Sequence, residues 1–152
     1  TGLIASGIDV AFGTSPDDTH AEITCQLLEA GIPVYLEKPL AITVTSATRV
    51  LTTAFETGTK LYVGHNMRHM NVVRSMRDLI RTGRIGEVKA IWCRHFVGSG
   101  GDFYFKDWHA TREHGTGLLL QKAAHDIDVM HWFADSHTTD VVGMGGLTLY
   151  CL

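Results

Sequence analysis

The sequence predicts an α/β fold built on a parallel β-sheet, and three features of its first half indicate this. Short apolar runs alternate with longer segments in which apolar residues recur at helical spacing. Glycine and proline separate the segments, so each run has a defined end. Helices placed between successive strands produce βαβ units, in which neighbouring strands run parallel.

The first half alternates strand and helix in strict order. Strands are predicted at 8–13, 32–36 and 60–64, and helices at 18–30, 45–56 and 69–82. Gly31 and Gly58 follow the first two helices, because glycine readily adopts the left-handed backbone that ends a helix. In the third helix Val72, Met76 and Leu79 share one apolar face with Ile80, which predicts that this face packs on the core.

The pattern changes after the third helix, and a domain boundary is placed near Gly83. A longer strand is predicted at 88–96, an irregular segment at 97–116, a helix at 117–134 and a last strand at 140–143. An apolar stripe on the long helix, formed by Leu120, Ala123, Ala124, Ile127 and Met130, is expected to pack on a sheet. The chain is therefore divided into residues 1–82 and residues 83–152.

The composition of the 152-residue chain argues against several classes of function. A net charge of −3 argues against a nucleic-acid partner, which requires a basic surface. No apolar run approaches the roughly 20 residues that span a bilayer, so no membrane partner is expected. Cys25, Cys93 and Cys151 form no CxxC pair, which predicts reduced thiols in a cytoplasmic protein.

The stretch "YLEKPLAIT" places a lysine where a short buried strand ends. Pro33 and Pro39 bound the strand, and Lys38 follows it directly. A lysine that loses hydration there has a lowered pKa, because burial disfavours its charged form. The alternative is that Glu37 and Lys38 form a solvated turn where the chain leaves the sheet.

The predicted helix at 117–134 carries a second group of polar residues. Gln121, His125, Asp128 and Trp132 are spaced at i, i+4, i+7 and i+11, so they share one helix face. An imidazole held rigidly on such a face is suited to general acid–base catalysis, because histidine exchanges protons near neutral pH. The alternative is an amphipathic helix whose polar face meets water.

Other reactive side chains do not form a recognisable site. Cys93, His95, His109 and His114 fit no common zinc spacing, so no metal is predicted. Cys93 and His95 would share one side of a strand, which packing explains. The sequence contains no GxSxG or Walker motif that would support hydrolysis or phosphoryl transfer.

Five stretches together resemble one family. The motifs "TSPDDTH", "LEKPL", "VGHNMRH", "IGEV" and "GTGLLLQKAAHDID" occur in the order and approximate spacing of the Gfo/Idh/MocA oxidoreductases. The resemblance implies that residues 1–82 are the later half of a Rossmann sheet that binds a nicotinamide dinucleotide. It implies that residues 83–152 begin an α+β substrate domain. The resemblance covers nearly the whole chain.

The resemblance also implies roles for individual residues. The implied catalytic residues are Lys38 and His125, with a Lys38–Pro39 bond that is commonly cis in the family. His65 is implied to lie near cofactor and substrate. The implied cofactor-binding residues are Ser15, Pro16, Asp17, His20, Glu37, Lys38, Pro39, Asn66, Arg68 and Trp108. The implied substrate contacts are His109, which replaces an arginine of many members, with Gln121, Lys122 and Asp128.

The sequence departs from the family pattern in two respects. Many members carry an aspartate at the position of Gln121, and glutamine can orient a hydroxyl but cannot exchange protons. The GxGxxG turn that holds the pyrophosphate is absent, and "GSGGD" at 98–102 does not replace it because no helical pattern follows. We therefore expect an internal fragment that is inactive by itself and homo-oligomeric through exposed apolar edges.

The function implied by the resemblance is that of an NAD- or NADP-dependent oxidoreductase acting on a secondary hydroxyl of a sugar, cyclitol or related polyol. His125 would accept the proton, while Lys38 would polarise the oxygen and lower the pKa of the histidine. Lys38 and His125 are then expected to face one cleft. The alternative is a non-catalytic dinucleotide-binding sensor or regulator with the same fold, which the glutamine at position 121 favours.

Overall fold

The computed structural model describes residues 2–96, 98 and 100–146. These residues form two units. The sheet unit contains residues 2–65 and 107–124, and the helix-pair unit contains the described residues of 66–106 and 125–146. Cys151, which the sequence predicts to be a reduced thiol, lies outside the described residues. The predicted domain boundary near Gly83 stays a prediction.

Strands and helices of the first half follow the predicted order. The strands are β1 (Ala11–Gly13), β2 (Val34–Glu37) and β3 (Leu61–Gly64). The helices are α1 (Gly2–Ala5), α2 (His20–Glu29), α3 (Val44–Thr57), α4 (Asn71–Arg81), α5 (Arg112–Gly115), α6 (Leu118–Gln121) and α7 (Ala123–Ala134). Short 3-10 turns cover Asp17–Thr19, Asn66–His69, Gly101–Phe105 and Asp107–Ala110. Within the described residues no helix is both long and apolar enough to cross a bilayer.

The sheet unit contains a parallel sheet in the order β1-β2-β3, as predicted. Phe12 pairs with Tyr35, and Tyr35 pairs with Tyr62, so the three rings form a row on one face of the sheet. Their ring centroids are 5.5 and 5.3 Å apart. Because side chains alternate along a strand, the residues next to them face the opposite side, where the core lies.

The core of the sheet unit lies between the strands and the helices α2 and α3. Leu36 of β2, Leu28 of α2 and Val50 of α3 belong to one buried cluster and are almost inaccessible to solvent. Thr43 caps the amino end of helix α3, and its hydroxyl accepts a hydrogen bond from the Ser46 N–H at 3.0 Å. The glycines predicted to end α2 and α3 both have positive φ angles, as the left-handed backbone after a helix requires.

The helix-pair unit has a smaller core. The face of α4 that packs in this core differs from the predicted one. Val73 is buried with Val129 and Phe133 of α7, and Ile80 packs against them. Three residues of the predicted face, Val72, Met76 and Leu79, are instead exposed. The predicted face was wrong because Arg77 lies within the buried stripe, one turn after Val73. The Arg77 guanidinium lies over the Trp132 ring, 5.7 Å from the ring centroid. A charged residue therefore interrupts the apolar pattern.

Two predicted strands of the second half are not formed. Residues 88–96 and 140–143 adopt no strand pairing among the described residues. A strand exists only when a neighbouring strand completes its hydrogen bonds, and apolar periodicity cannot supply that neighbour. The segment predicted to be irregular, 97–116, contains two 3-10 turns and the short helix α5 in its described part.

The predicted helix at 117–134 is divided at Lys122 into α6 and α7. Its expected apolar stripe does not pack on a sheet, and Ile127 is substantially exposed. This prediction was wrong for the same reason, because the strands expected beneath the stripe are not formed. The residues buried instead include Gln121 and His125, so the alternative of a water-facing polar row does not hold for these two side chains.

Candidate active site

The candidate site of the sheet unit is built where its three parallel strands end. Because the strands are parallel and in register, their carboxyl ends meet at one edge of the sheet. The segments that follow these ends are the loop of Ser15 and Asp17 after β1, Lys38–Pro39 after β2 and His65 after β3. Ligands of open α/β sheets bind outside the carboxyl ends of the strands, so the fold places these side chains at the favoured edge.

His20 fixes the loop after β1 to the turn after β2. Its Nδ1 lies 2.7 Å from the Pro39 carbonyl oxygen, and its Nε2 lies 2.9 Å from that of Ser15. The ring is 1% exposed. Carbonyl oxygens only accept, so the imidazole donates from whichever nitrogen carries hydrogen. The sequence predicts a cofactor contact for His20, and the structure gives its ring a role in holding the two segments together.

Lys38 directly follows strand β2, and its ammonium group makes a short hydrogen bond. The Lys38–Pro39 peptide bond is cis, as the resemblance implied. The Lys38 ammonium donates to the main-chain carbonyl of Gln121 at 2.6 Å. Burial lowers the pKa of Lys38, the Asp17 and Glu37 charges partly oppose this, and the Lys122 charge adds to it. The predicted direction of the pKa shift and its predicted cause are confirmed.

Asp17 and Gln121 form a buried polar pair beside the lysine. The side-chain amide of Gln121 donates from Nε2 to Asp17 Oδ2 at 3.3 Å. Asp17 is 5% exposed and Gln121 is 2% exposed. Burial raises the pKa of Asp17, while the Gln121 hydrogen bond and the charges of His20, Lys38 and His109 oppose the rise. Gln121 Oε1 is buried and has no hydrogen-bond partner among the described residues.

Other predicted site residues of the sheet unit make local contacts. Trp108 and His109 stack with ring centroids 3.7 Å apart. Glu37 accepts a hydrogen bond from the Lys38 main-chain N–H at 3.2 Å. The Thr19 hydroxyl contacts the Ser15 hydroxyl at 2.6 Å and the Pro16 carbonyl at 2.7 Å, which orders the loop after β1.

His114 makes a contact whose strength depends on pH. Its Nδ1 donates to Asp18 Oδ2 at 2.9 Å, and this hydrogen bond raises the pKa of His114. Because the folded-state pKa lies above the unfolded-state value of about 6.5, the stabilisation is fully present below that value. It is lost as the pH rises through the folded-state pKa.

We therefore expect NMR titration of His114 to give a midpoint above about 6.5. The Asp18→Asn variant should lower this midpoint, because the asparagine keeps the shape of the side chain and loses its charge. The exposed His137 provides the reference resonance in the same spectra. A midpoint that Asp18→Asn leaves unchanged would contradict the assigned contact.

The helix-pair unit contains the other predicted site residues. Arg68 donates to both carboxylate oxygens of Asp128, at 2.7 and 2.6 Å, and its guanidinium lies 5.3 Å from the Trp132 ring centroid. Asn66 begins a 3-10 turn. His125 is 7% exposed on α7. Lys38 belongs to the sheet unit and His125 to the helix-pair unit, and their action as a pair stays a prediction.

The structure also shows contacts that the sequence did not predict. His95 Nδ1 lies 2.9 and 3.0 Å from the two carboxylate oxygens of Asp126. The sequence analysis explained Cys93 by packing, but the structure shows that this side chain is exposed. Among the described residues no three His, Cys, Asp or Glu side chains form a group that could hold a metal ion. The Asp17–Gln121 pair was missed because 104 positions separate its members.

Comparison with known proteins relates both halves of the chain to one family. Residues 73–150 match the family model of the GFO/IDH/MocA C-terminal domain. Residues 3–65 match the model of an oxidoreductase family with an NAD-binding Rossmann fold. The order of the two matches is the order that the motifs predicted.

Individual relatives agree with the family matches. The chain is 30% identical over 90% of its length to 1,5-anhydro-D-fructose reductase of Ensifer adhaerens. It is 29% identical over 88% of its length to inositol 2-dehydrogenase of Azotobacter vinelandii. Among solved structures it resembles the WlbA dehydrogenase of Bordetella pertussis in complex with NADH and UDP-GlcNAcA, with a TM-score of 0.73 and 23% identity over 87% of the chain.

These comparisons cover most of the chain but a smaller share of each relative. The chain spans 41% of the reductase, 37% of the inositol dehydrogenase and 39% of the WlbA chain. At 23% identity, the similarity to the WlbA dehydrogenase concerns the fold alone. With both family models matched in order, the chain belongs to the Gfo/Idh/MocA oxidoreductases, a family with an NAD-binding Rossmann fold.

Proposed function

We propose that the full-length gene product is an NAD(P)-dependent oxidoreductase that oxidises a secondary hydroxyl of a sugar, cyclitol or related polyol. The observation that carries this proposal is Lys38 at a strand end, with a lowered pKa and a buried acid–amide pair beside it. The names of two relatives, 1,5-anhydro-D-fructose reductase and inositol 2-dehydrogenase, support the substrate class.

A nicotinamide dinucleotide would be held by residues at the strand ends and by Gln121 of α6 beside them. Gln121 Oε1 is a buried acceptor without a partner in the described part of the chain, which is what a site for a polar ligand leaves open. The loop of Ser15, Pro16 and Asp17 and the Glu37–Pro39 turn would hold the cofactor at the sheet edge. When bound, the cofactor supplies the acceptor for the hydride.

Lys38 would orient and polarise the reacting oxygen. An ammonium group carries three hydrogens, and Lys38 donates one of them to the Gln121 carbonyl. The other two can be donated to a substrate oxygen. Partial desolvation strengthens such hydrogen bonds, because charges interact more strongly where the effective dielectric constant is low.

His125 would accept the proton of the reaction. The secondary alcohol loses a hydride with its electron pair from carbon and a proton from oxygen, and a ketone is formed. The proton would go to the His125 imidazole, which is suited to this exchange near neutral pH, and the bound cofactor would supply the acceptor for the hydride. This role rests on the family resemblance.

The proposal is tested with the full-length gene product. Binding of NADH and NADPH is measured by fluorescence titration, and oxidation is assayed over a panel of inositols, sugars and sugar acids. We expect binding of at least one dinucleotide and turnover of at least one polyol. Failure to bind either dinucleotide would refute the proposal. The cytoplasmic location and the homo-oligomeric state stay predictions.

A second function is favoured by one observation, which is the amide of Gln121 where many family members carry a carboxylate. An amide cannot exchange protons, so a non-catalytic dinucleotide-binding sensor or regulator is the alternative. Dinucleotide binding without oxidation of any compound in the panel would favour this alternative.

A further inference from the structure

Gln121 contacts both Lys38 and Asp17, the first through its main chain and the second through its side chain. Its main-chain carbonyl accepts a hydrogen bond from the Lys38 ammonium at 2.6 Å. Its side-chain amide donates to Asp17 at 3.3 Å. Asp17 and Lys38 therefore both contact one residue, and all three belong to the sheet unit.

We propose that Asp17 is the positioning carboxylate of this site. Through its hydrogen bond it holds the Gln121 amide with Oε1 presented as an acceptor for a ligand hydroxyl, and through its charge it is the counter-ion of Lys38. The carboxylate that many family members carry at the position of Gln121 is thereby supplied from the loop after β1. This role rests on the proposed function, because the ligand hydroxyl belongs to the substrate or the cofactor.

The orientation of the amide follows from the chemistry of its partner. An ionised carboxylate only accepts hydrogen bonds, so Asp17 attracts the NH₂ end of the amide and repels its oxygen. The planar amide then directs Oε1 away from Asp17. Oε1 is buried without a partner among the described residues, and leaving a buried acceptor unpaired costs about 1–3 kcal/mol. A ligand hydroxyl that donates to Oε1 removes this cost.

The electrostatic part follows from the charges around Lys38. Asp17 and Glu37 stabilise its charged form, while burial and the Lys122 charge oppose it. Around Asp17, the titratable groups that favour its charged form are His20, Lys38 and His109. Burial raises the pKa of Asp17 and is the largest influence on it, and the ionised carboxylate is the form that stabilises the Lys38 ammonium.

Gly115 leaves the space that the Gln121 amide occupies. A Cβ atom at position 115 would lie 2.5 Å from Gln121 Nε2 and 3.1 Å from its Cδ. The φ angle of Gly115 is not positive, so an alanine there is strained only by this contact. The Gly115→Ala variant therefore displaces the amide from Asp17 without changing any charge.

The experiment measures Lys38 directly in the full-length gene product. Competitive acylation with acetic anhydride across a pH series, read by peptide mass spectrometry, gives the titration midpoint of this lysine. Asp17→Asn, which keeps the shape of the side chain and removes its charge, should lower the Lys38 midpoint. Acylation below the midpoint should rise about tenfold for each unit of that shift. Gly115→Ala should move the midpoint less and raise KM for the polyol more than it lowers kcat.

Two control variants distinguish an effect of the Asp17 charge on Lys38 from a general effect of the substitution. Asp18→Asn removes a neighbouring charge of the same loop that contacts His114, and it should leave the Lys38 midpoint unchanged. The double variant Asp17→Asn with Gln121→Asp exchanges the two groups, so that position 121 carries the carboxylate and position 17 the amide. It should recover the Lys38 midpoint that Asp17→Asn lowers.

Two results would overturn the proposal. One is an unchanged Lys38 acylation profile in Asp17→Asn, and the other is a loss of thermal stability in that variant with unchanged kcat, KM and pH profile. The acylation result does not depend on turnover. If the unsubstituted protein oxidises no polyol, the proposed function fails, while the Lys38 profiles still decide whether Asp17 is its counter-ion.

Discussion

Replacement of His125 by alanine in the full-length gene product is expected to reduce turnover by roughly two to four orders of magnitude, the usual effect of removing a positioned general base. The imidazole is 7% exposed on α7, so its orientation is fixed by packing. Alanine is a good helix former, and the helix should therefore persist in the variant. The loss should be found in kcat and in kcat/KM alike, because the base acts in the transition state.

The measurement compares steady-state kinetics over a pH series. The His131→Ala variant is the matched control, because it removes an imidazole from the same helix whose contact is with the Thr138 hydroxyl at 2.6 Å. The acidic limb of the kcat/KM profile should disappear in His125→Ala and remain in His131→Ala. Similar, small losses in both variants would show that His125 is not the proton acceptor.

The part of the fold that could be predicted from the sequence is the part determined by local signals. Gly31 and Gly58 follow their helices with positive φ angles, and the three strands that alternate with these helices pair in parallel. The strands predicted at 88–96 and 140–143 depend on partners that apolar periodicity does not specify. The buried face of α4 was missed because Arg77 covers Trp132 from within the apolar stripe.

The sequence predicts those properties of the candidate site that depend on the position of a residue within its own strand or turn. Lys38 at a strand end loses hydration, and the predicted lowering of its pKa is confirmed. The Asp17–Gln121 pair has no signal in the sequence, because its members meet only after folding brings two distant segments together. His20 shows the same limit, since its main-chain partners at Ser15 and Pro39 depend on the conformation of two loops.

Replacement of Lys38 by alanine should reduce kcat by about two to three orders of magnitude, as expected for the loss of one preorganised donor to a reacting oxygen. The dissociation constant of NADH should change little, because the ammonium acts on the substrate oxygen. Turnover and dinucleotide binding are measured on the same preparation. Lys60→Ala, which removes an exposed lysine of the sheet unit, is the control. A kcat loss matched by an equal loss of NADH affinity would assign Lys38 to cofactor binding instead.

The pH dependence of stability provides a second test of Lys38 that requires no substrate. Its pKa is lowered by burial, so the folded state releases the proton at a lower pH than the unfolded state, whose value is about 10.4. Between the two values the unfolded state binds more protons, and the free energy of unfolding therefore rises with pH. We expect this rise in the unsubstituted protein and in Lys60→Ala, measured by urea denaturation. It should be absent in Lys38→Met, which keeps an unbranched side chain without the charge, and its persistence there would mean that another group is responsible.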